Sequence, residues 1–461
     1  MTDRELKRSV LTVTAFASFL TPFMGSSVNL ALPSIGEEFG SNAVTLNWIV
    51  SSYMLSTAIF LLPAGRVGDI IGRKKVFFTG ILLFTLTMIL LTFTPGIGWL
   101  IAVRIVQGVA SAMIFATNLA ILTSVFPAGE RGKAMGINVT AVYIGLSSGP
   151  FLGGILTRYL GWRSIFAFLI PMGIISLVLI RKKMKGEWAD ARGEGFDWPG
   201  AVIYGVCLAA IMYGFSKLPS AAGWTLTLTG VVLVPVFLLR ETKTAHPLFD
   251  VSLIFRNRVF AFSSLAALIH YASTSAVGFF LSLYLQYLKG LGPRDAGFIL
   301  MAWPVTMALL SPAAGKLSDK YNPGVLASAG MALTSIGLIM LCFLSDATPF
   351  PFIIFILILM GLGFSLFSSP NSNAIMSSVE KKQLGNASGM IGTMRMVGQT
   401  MSMGVAMMLI ALFMGQQKIS TDNYPQLLAA MKTGFIIFSV LCIAGIFASL
   451  ARNSNLKKTG F

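Results

Sequence analysis

The sequence predicts an all-α polytopic membrane protein of fourteen transmembrane helices, two six-helix bundles with two extra central spans between them. Three observations predict it. Of 461 residues, 55% are hydrophobic and only 11% are charged, whereas soluble domains are nearer one quarter charged. Fourteen apolar runs are each long enough to cross roughly 30 Å of hydrocarbon. A Gly-x-x-x-Asp motif also occurs twice in loops between runs, at Gly65 to Asp69 and Gly315 to Asp319.

The net charge of +17 would point to nucleic acid in a soluble protein. Here the great majority of the Lys and Arg residues lie in alternate inter-span segments. That asymmetry is the positive-inside pattern, so both termini are expected in the cytoplasm of a multi-pass cell-membrane protein. The basic balance is thus assigned to the lipid bilayer, and no nucleic-acid partner is expected. Cys207, Cys342 and Cys442 all fall in apolar runs without metal-ligand spacing, and neither a metal nor a cofactor is expected.

The first run, 10–31, follows Arg4, Lys7 and Arg8. It is too long for a signal-peptide core and lacks a small-x-small cleavage site, so it is expected to stay as a span. Runs two and three, 46–65 and 76–94, are joined by GRVGDIIGRKKV. Gly65, Gly68 and Gly72 permit a tight helix-loop-helix turn, and Asp69 stands four residues before Arg73, beside Lys74. This cluster is read as a gate on the cytoplasmic side or, more plainly, as a topology signal; its repeat at Gly315 and Asp319 favours the gate. Run four, 99–125, carries Arg104 and Gln107. An arginine inside an apolar span costs several kcal/mol unless it is paired or reaches water. Arg104 therefore serves a proton relay, an anionic substrate or a structural partner, or it snorkels to the headgroups.

Run five, 134–156, contains GLSSGPFLGG. Gly145, Gly149 and Gly153 repeat every fourth residue and share one helix face, with Gly154 beside them, so a neighbouring backbone can come close. Pro150 removes a backbone donor at that point. The segment is expected to be a hinge and a contact between the two bundles. Run six, 163–180, leads into the basic, Gly-rich linker 181–197, and runs seven and eight, 199–217 and 222–239, form the extra pair. The expected domains are 1–185, 186–250 and 251–461. The second bundle holds runs 259–285, 296–315, 323–344, 350–370, 387–413 and 429–450.

All 17 acidic residues fall in loops, termini or span ends. The ionisable groups left inside the apolar runs are His270, Arg395 and Arg104. His270 titrates near neutrality and is a candidate proton site, or else a neutral histidine bonded to Tyr271 or Ser273. Arg395, with Gln399 one turn on, is read either as a site for an anionic substrate or as a brace. Asn29, Tyr53, Asn118 and Gln286 are further polar candidates for recognition, as are Asn371 and Asn373.

Taken together these motifs resemble the major facilitator superfamily, and within it the fourteen-span drug:proton antiporter family. The loop at 65–76 is similar to the family's G-x-L-x-D-R-x-G-R-K pattern, departing at Ile70. RIVQG at 104–108 resembles its span-four signature, and GLSSGPFLGG resembles the span-five signature of the antiporter branches. Shorter echoes are VNLALPSI, WIVSSYML, GWRSIF and FDWPG. The resemblance implies a secondary active transporter that works by alternating access, exporting small lipophilic or amphipathic drug-like compounds in exchange for protons. A multidrug-resistance role and a monomer are the corresponding expectations. No phosphate-loop pattern is present, so ATP is not expected to drive it. One departure stands out: where the family often has an acid in span one, this chain has Met24. That departure favours the alternative of an exporter or facilitator of neutral or anionic solutes without proton coupling. A membrane-embedded lipid-modifying enzyme is the non-transport alternative, and only His246 and His270 are present to serve one. The chain is therefore expected not to be an enzyme.

Overall fold

The computed structural model describes residues 3–41, 43–414 and 423–452; within them, the side chain of Pro150 is among a few that lie outside the description. Fourteen helical segments among the described residues are long and apolar enough to cross a membrane. In chain order they are α1 (Asp3–Phe39), α2 (Ala43–Ile71), α3 (Arg73–Thr92), α4 (Ile97–Val125), α5 (Ala128–Leu160), α6 (Ser164–Lys183), α7 (Trp198–Ser216) and α8 (Ala221–Glu241). They continue as α9 (Arg258–Leu288), α10 (Arg294–Lys320), α11 (Pro323–Leu341), α12 (Phe350–Ser377), α13 (Leu384–Met414) and α14 (Tyr424–Ala451). Two spans are interrupted: α9 breaks after Thr274 and ends in a π-helical turn, Tyr284–Leu288, and α10 breaks after Leu300.

Local chemistry sets several starts. Pro199, Pro323 and Pro425 occupy first-turn positions, where the missing N–H is no loss. The side chains of Ser220, Asn257 and Asn322 accept from Gly223, Phe260 and Gly324, satisfying N–H groups that have no intrahelical partner. Gly72 turns α2 into α3 at φ 121, a backbone conformation open to glycine and strained for any other residue.

The helices α1 to α6 enclose one apolar core, with Phe23, Phe77, Phe84 and Phe166 buried in it. The helices α9 to α14 enclose a second around Phe280, Tyr284 and Phe435. The two halves meet along two lines, α5 against α10 and α2 against α13. The hairpin of α7 and α8 lies along the second line, α7 touching both α2 and α13. There the Tyr204 hydroxyl lies 3.2 Å from the Ala58 carbonyl and 2.8 Å from Thr393 Oγ1, so one side chain spans both halves.

An even number of crossings brings both described ends to the same face, with the loops after α2, α4, α6 and α10. This end, rich in Lys and Arg, is called the basic face below, and the opposite end the far face. At the basic face α14 is followed by a buried arginine. Arg452 donates to Ser263 Oγ, Asn371 Oδ1, the Gly324 carbonyl and Ser449 Oγ, each 2.8–2.9 Å away. Burial pushes its guanidinium down to about 10, still charged at neutral pH, so α14 is tied to α9, α11 and α12 by charge-assisted bonds.

Candidate functional site

At the basic face the two halves are joined twice by one device. On α2, Gly65 lies so close to Gly385 that a Cβ on either would overlap the other's carbonyl oxygen. One turn further, Asp69 accepts from the Gly385 amide at 2.9 Å and the Asn386 amide at 3.2 Å, both in the first turn of α13. On α10, Gly315 meets Gly132 in the same mutual contact. Asp319 then accepts from the Gly132 and Lys133 amides at 2.7 and 2.8 Å, in the second turn of α5. Each carboxylate thus binds backbone amides near the N-terminal end of a helix of the opposite half, Asp69 in the first turn of α13 and Asp319 in the second turn of α5, on the side where the helix dipole favours an anion. The glycine one turn earlier lets the backbones approach closely enough for that bond.

Asp69 is fully buried and also paired, at 2.7 Å, with the buried guanidinium of Arg73. Arg73 donates onward to Ser124, to Asp190 and to the Lys381 carbonyl. The linker 184–197 closes over this cluster. Its Trp188 carbonyl accepts from the Arg73 amide, and its Ala191 amide donates to the Asp69 carbonyl. Glu187 accepts from the Lys74 amide at 2.8 Å, while the Lys74 ammonium donates to the Met184 carbonyl. Glu194 accepts from Arg66 at 2.6 Å; that bond holds its carboxyl below the usual carboxylate range. Gly68 packs on Thr117, within the first half. The sequence singled out Asp69 and Asp319 but not their partners. The available signal was a second repeat, Gly132/Gly136 and Gly385/Gly389, a Gly-x-x-x-Gly pair opening each receiving helix.

Above these contacts lies a seam lined by aromatic rings. Arg395 on α13, about 16 Å along the axis from Leu384, stands 4.7 Å from the centroid of Phe115 on α4. Its Nε is buried without a hydrogen-bond acceptor. Tyr143, Tyr271 and Trp303 set their rings edge-on to Phe364 at 5.9, 5.7 and 6.4 Å. The Trp303 Nε1 donor is also buried and unpaired. Among the described residues no carboxylate reaches this region. The seam therefore presents π-faces, one cation and spare donors, which together suit a flat ligand carrying acceptor oxygens or negative charge.

The other candidates are dispersed. Arg104 is fully buried inside the first half, 4.1 Å over the Tyr53 ring, donating to the Ile49 carbonyl and Gln107 Oε1. It points into the bundle. Tyr53 is 2.8 Å from Ser111 Oγ. Asn118 donates to Ser18 Oγ, which donates to Asn138 Oδ1, pinning α1, α4 and α5 together. Asn29 is exposed on α1, and Gln286 donates to Ser282 in the π-helical region. Asn371 and Asn373 are occupied by Ser263 and Ser318. His270 stacks on Phe367 and Phe364 at 4.0 and 4.8 Å, with both ring nitrogens unbonded; the expected bond to Tyr271 or Ser273 is not made. Arg104→Met should lower the thermal stability of the purified protein, since it strands Gln107 and the Ile49 carbonyl at about 1–3 kcal/mol, and leave substrate preference unchanged. A fluorescence-detected melting curve and a transport panel read the two together.

The glycine face of α5 corrects the sequence reading. A Cβ on Gly145 would lie 2.5 Å from the Phe19 carbonyl oxygen, and Gly149 and Gly153 face Ser26 and Ser27. All three glycines thus seat α5 on α1 within one half, and the contact across halves runs lower on α5, through Gly132, Gly136 and Thr140. Four-residue spacing reveals a close-packed face without revealing the partner. Pro150, whose side chain lies outside the described residues, and Gly154 add no contact to this account.

A family model described as the Major Facilitator Superfamily matches residues 14–403, and again 263–458. The riboflavin transporter RibZ of Clostridioides difficile (strain 630) is 31% identical over 446 residues, 96% of this chain and 96% of its own length. The multidrug resistance protein Stp of Mycobacterium tuberculosis (strain CDC 1551 / Oshkosh) is 31% identical over 385 residues, 82% of this chain and 71% of its own. The cephamycin export protein CmcT of Amycolatopsis lactamdurans is 30% identical over 410 residues, 86% and 84% respectively. Among solved structures, the human organic anion transporter MFSD10 (TETRAN) superposes with a TM-score of 0.69 over 97% of this chain and 100% of that chain, at 14% identity; that likeness concerns the fold alone.

Proposed function

Since the chain belongs to the major facilitator superfamily, and is a membrane transporter and not an enzyme, we propose that it exports small amphipathic aromatic compounds, neutral or anionic, by alternating access. The observation that carries this reading is Arg395, a cation on the seam with no carboxylate partner among the described residues, set against the ring of Phe115 with its Nε unpaired. A cationic drug entering there would meet like charge and no counter-ion, at a cost that a poorly hydrated site amplifies. A planar ligand with acceptor oxygens meets stacking faces and unpaired donors. Relatives named for cephamycin export, multidrug resistance and riboflavin transport support a small organic cargo, and the first of these names supports the export direction.

The positive-inside pattern supports a cytoplasmic position for the basic face, with the protein in the cell membrane. The paired Gly-Asp contacts then act as the cytoplasmic gate, drawn shut in this conformation, with the Gly145–Gly154 face as the surface on which α5 and α1 move together. Exchange for protons rests on the antiporter-type motifs, the span-five GLSSGPFLGG among them.

Proteoliposomes with an imposed pH gradient test the whole reading. Addition of matched anionic, neutral and cationic aromatic compounds should move the anionic and neutral ones, with proton flux following their transport. Transport confined to the cations would overturn the charge assignment. Movement without proton flux would keep the substrate class and remove the coupling.

A further inference from the structure

The base of the α7–α8 hairpin holds a second feature, independent of the substrate reading. Asp197, just before α7, is 6% exposed, and Glu241, the last residue of α8, is 2% exposed. One oxygen of each has an ordinary donor: Arg240 gives 3.1 Å to Asp197 Oδ1, and the Phe249 amide gives 2.9 Å to Glu241 Oε2. The other oxygen of each, Asp197 Oδ2 and Glu241 Oε1, is buried and receives no donor. These two oxygens point into the same small volume, because a Cβ placed on Gly200 would overlap both. Each lies 2.3 Å from that Cβ position, so the two oxygens are within twice that distance of one another. Two ionised carboxylates cannot bond each other, since both only accept. Two buried like charges at that separation also repel strongly, as in carboxyl dyads that retain one proton.

We propose that Asp197 and Glu241 hold one proton between them, so that the hairpin base is a proton-binding site. The charged groups around it fit that count. From α8 comes Arg240, and from the segment after α8 the Phe249 backbone amide. In the next layer Arg66 and His246 face Glu194, and Lys382 pairs with Glu380. One guanidinium against two carboxyls is neutral only when the pair keeps a proton. The proton can leave to water at the basic face, and its departure sets two buried anions against each other and loosens the start of α7 from the end of α8. Since Tyr204 on α7 spans α2 and α13, the proton governs how firmly α7 sits on the line where the halves meet.

The sign of the pH effect follows directly. The folded pair binds a proton that the unfolded carboxyls, with pKa near 4, have lost at neutral pH. Stability is therefore present at low and neutral pH and falls as pH rises through the release of that proton. The test uses the purified full chain in lipid nanodiscs. Its infrared spectrum at neutral pH should show the carbonyl stretch of a protonated carboxylic acid, fading at alkaline pH. Glu241→Gln and Asp197→Asn should each abolish that band, because an amide supplies the missing donor permanently. For the same reason each variant should stay folded and lose the alkaline fall in melting temperature. A wild-type spectrum identical to both variants in this region would overturn the proposal. So would an alkaline fall in melting temperature that both amide variants retain.

Discussion

Gly315→Leu should abolish transport and leave the protein folded but open at the basic face. A Cβ at Gly315 overlaps the carbonyl oxygen of Gly132, and a backbone atom cannot rotate out of the way as a side chain can. The helices α10 and α5 must then separate, and Asp319 loses its bonds to the Gly132 and Lys133 amides. Each is a charge-assisted bond of about 1.5–3 kcal/mol, enough together to decide an equilibrium between two conformations of similar energy. The bundle cores lie elsewhere, around Phe84 and Phe280, which is why folding should survive. A reporter cysteine at Thr140, in a background lacking Cys207, Cys342 and Cys442, reads the result. Thr140 is partly buried against the Ala308 carbonyl, so an impermeant maleimide should reach Thr140→Cys slowly in the parent and rapidly with Gly315→Leu. Unchanged labelling with retained transport would refute the gate. Should the leucine variant fail to accumulate, Gly315→Ala makes the smallest version of the same overlap.

Such contacts show where sequence reasoning succeeds and where it stops. Fourteen spans were legible because the bilayer imposes length and composition on each one. Their ends were less so: α2 runs on to Ile71 because Arg66 and Asp69, counted as loop by their charge, are paired within the helix and its neighbours. The Asp69–Arg73 pair was legible as a four-residue spacing. Its partners Gly385 and Asn386 were not, because a backbone amide carries no residue-type signature and stands more than three hundred residues away. Arg104 inside a span needs either water or a partner, and the structure sets Gln107 one turn on and the Ile49 carbonyl against it. Asp197 and Glu241 were set aside as ordinary span-end acids. Only the hairpin's closure reveals that two of them share one buried volume.

Arg395 offers the sharpest separation between recognising a ligand and bracing a helix. A brace is a bonded residue, and its removal costs stability, about 3–5 kcal/mol when a buried charge loses its partner. Arg395 has a ring at 4.7 Å and an unpaired Nε, so a charge is being held without compensation from a carboxylate. Arg395→Gln should therefore leave the melting temperature unchanged or raise it. Transport should respond in the opposite sense. Losing one charge-assisted bond to ligand corresponds to about ten- to a hundredfold in affinity, carried in KM for anionic aromatic compounds and much weaker for neutral ones of the same shape. Arg395→Lys keeps the charge but not the planar fork, and should recover part of the anionic affinity. A fall in melting temperature with substrate preference intact would make Arg395 a brace. A rise in affinity for cations on Arg395→Gln, alongside the loss for anions, would identify this one guanidinium as the residue that sets the charge of the cargo.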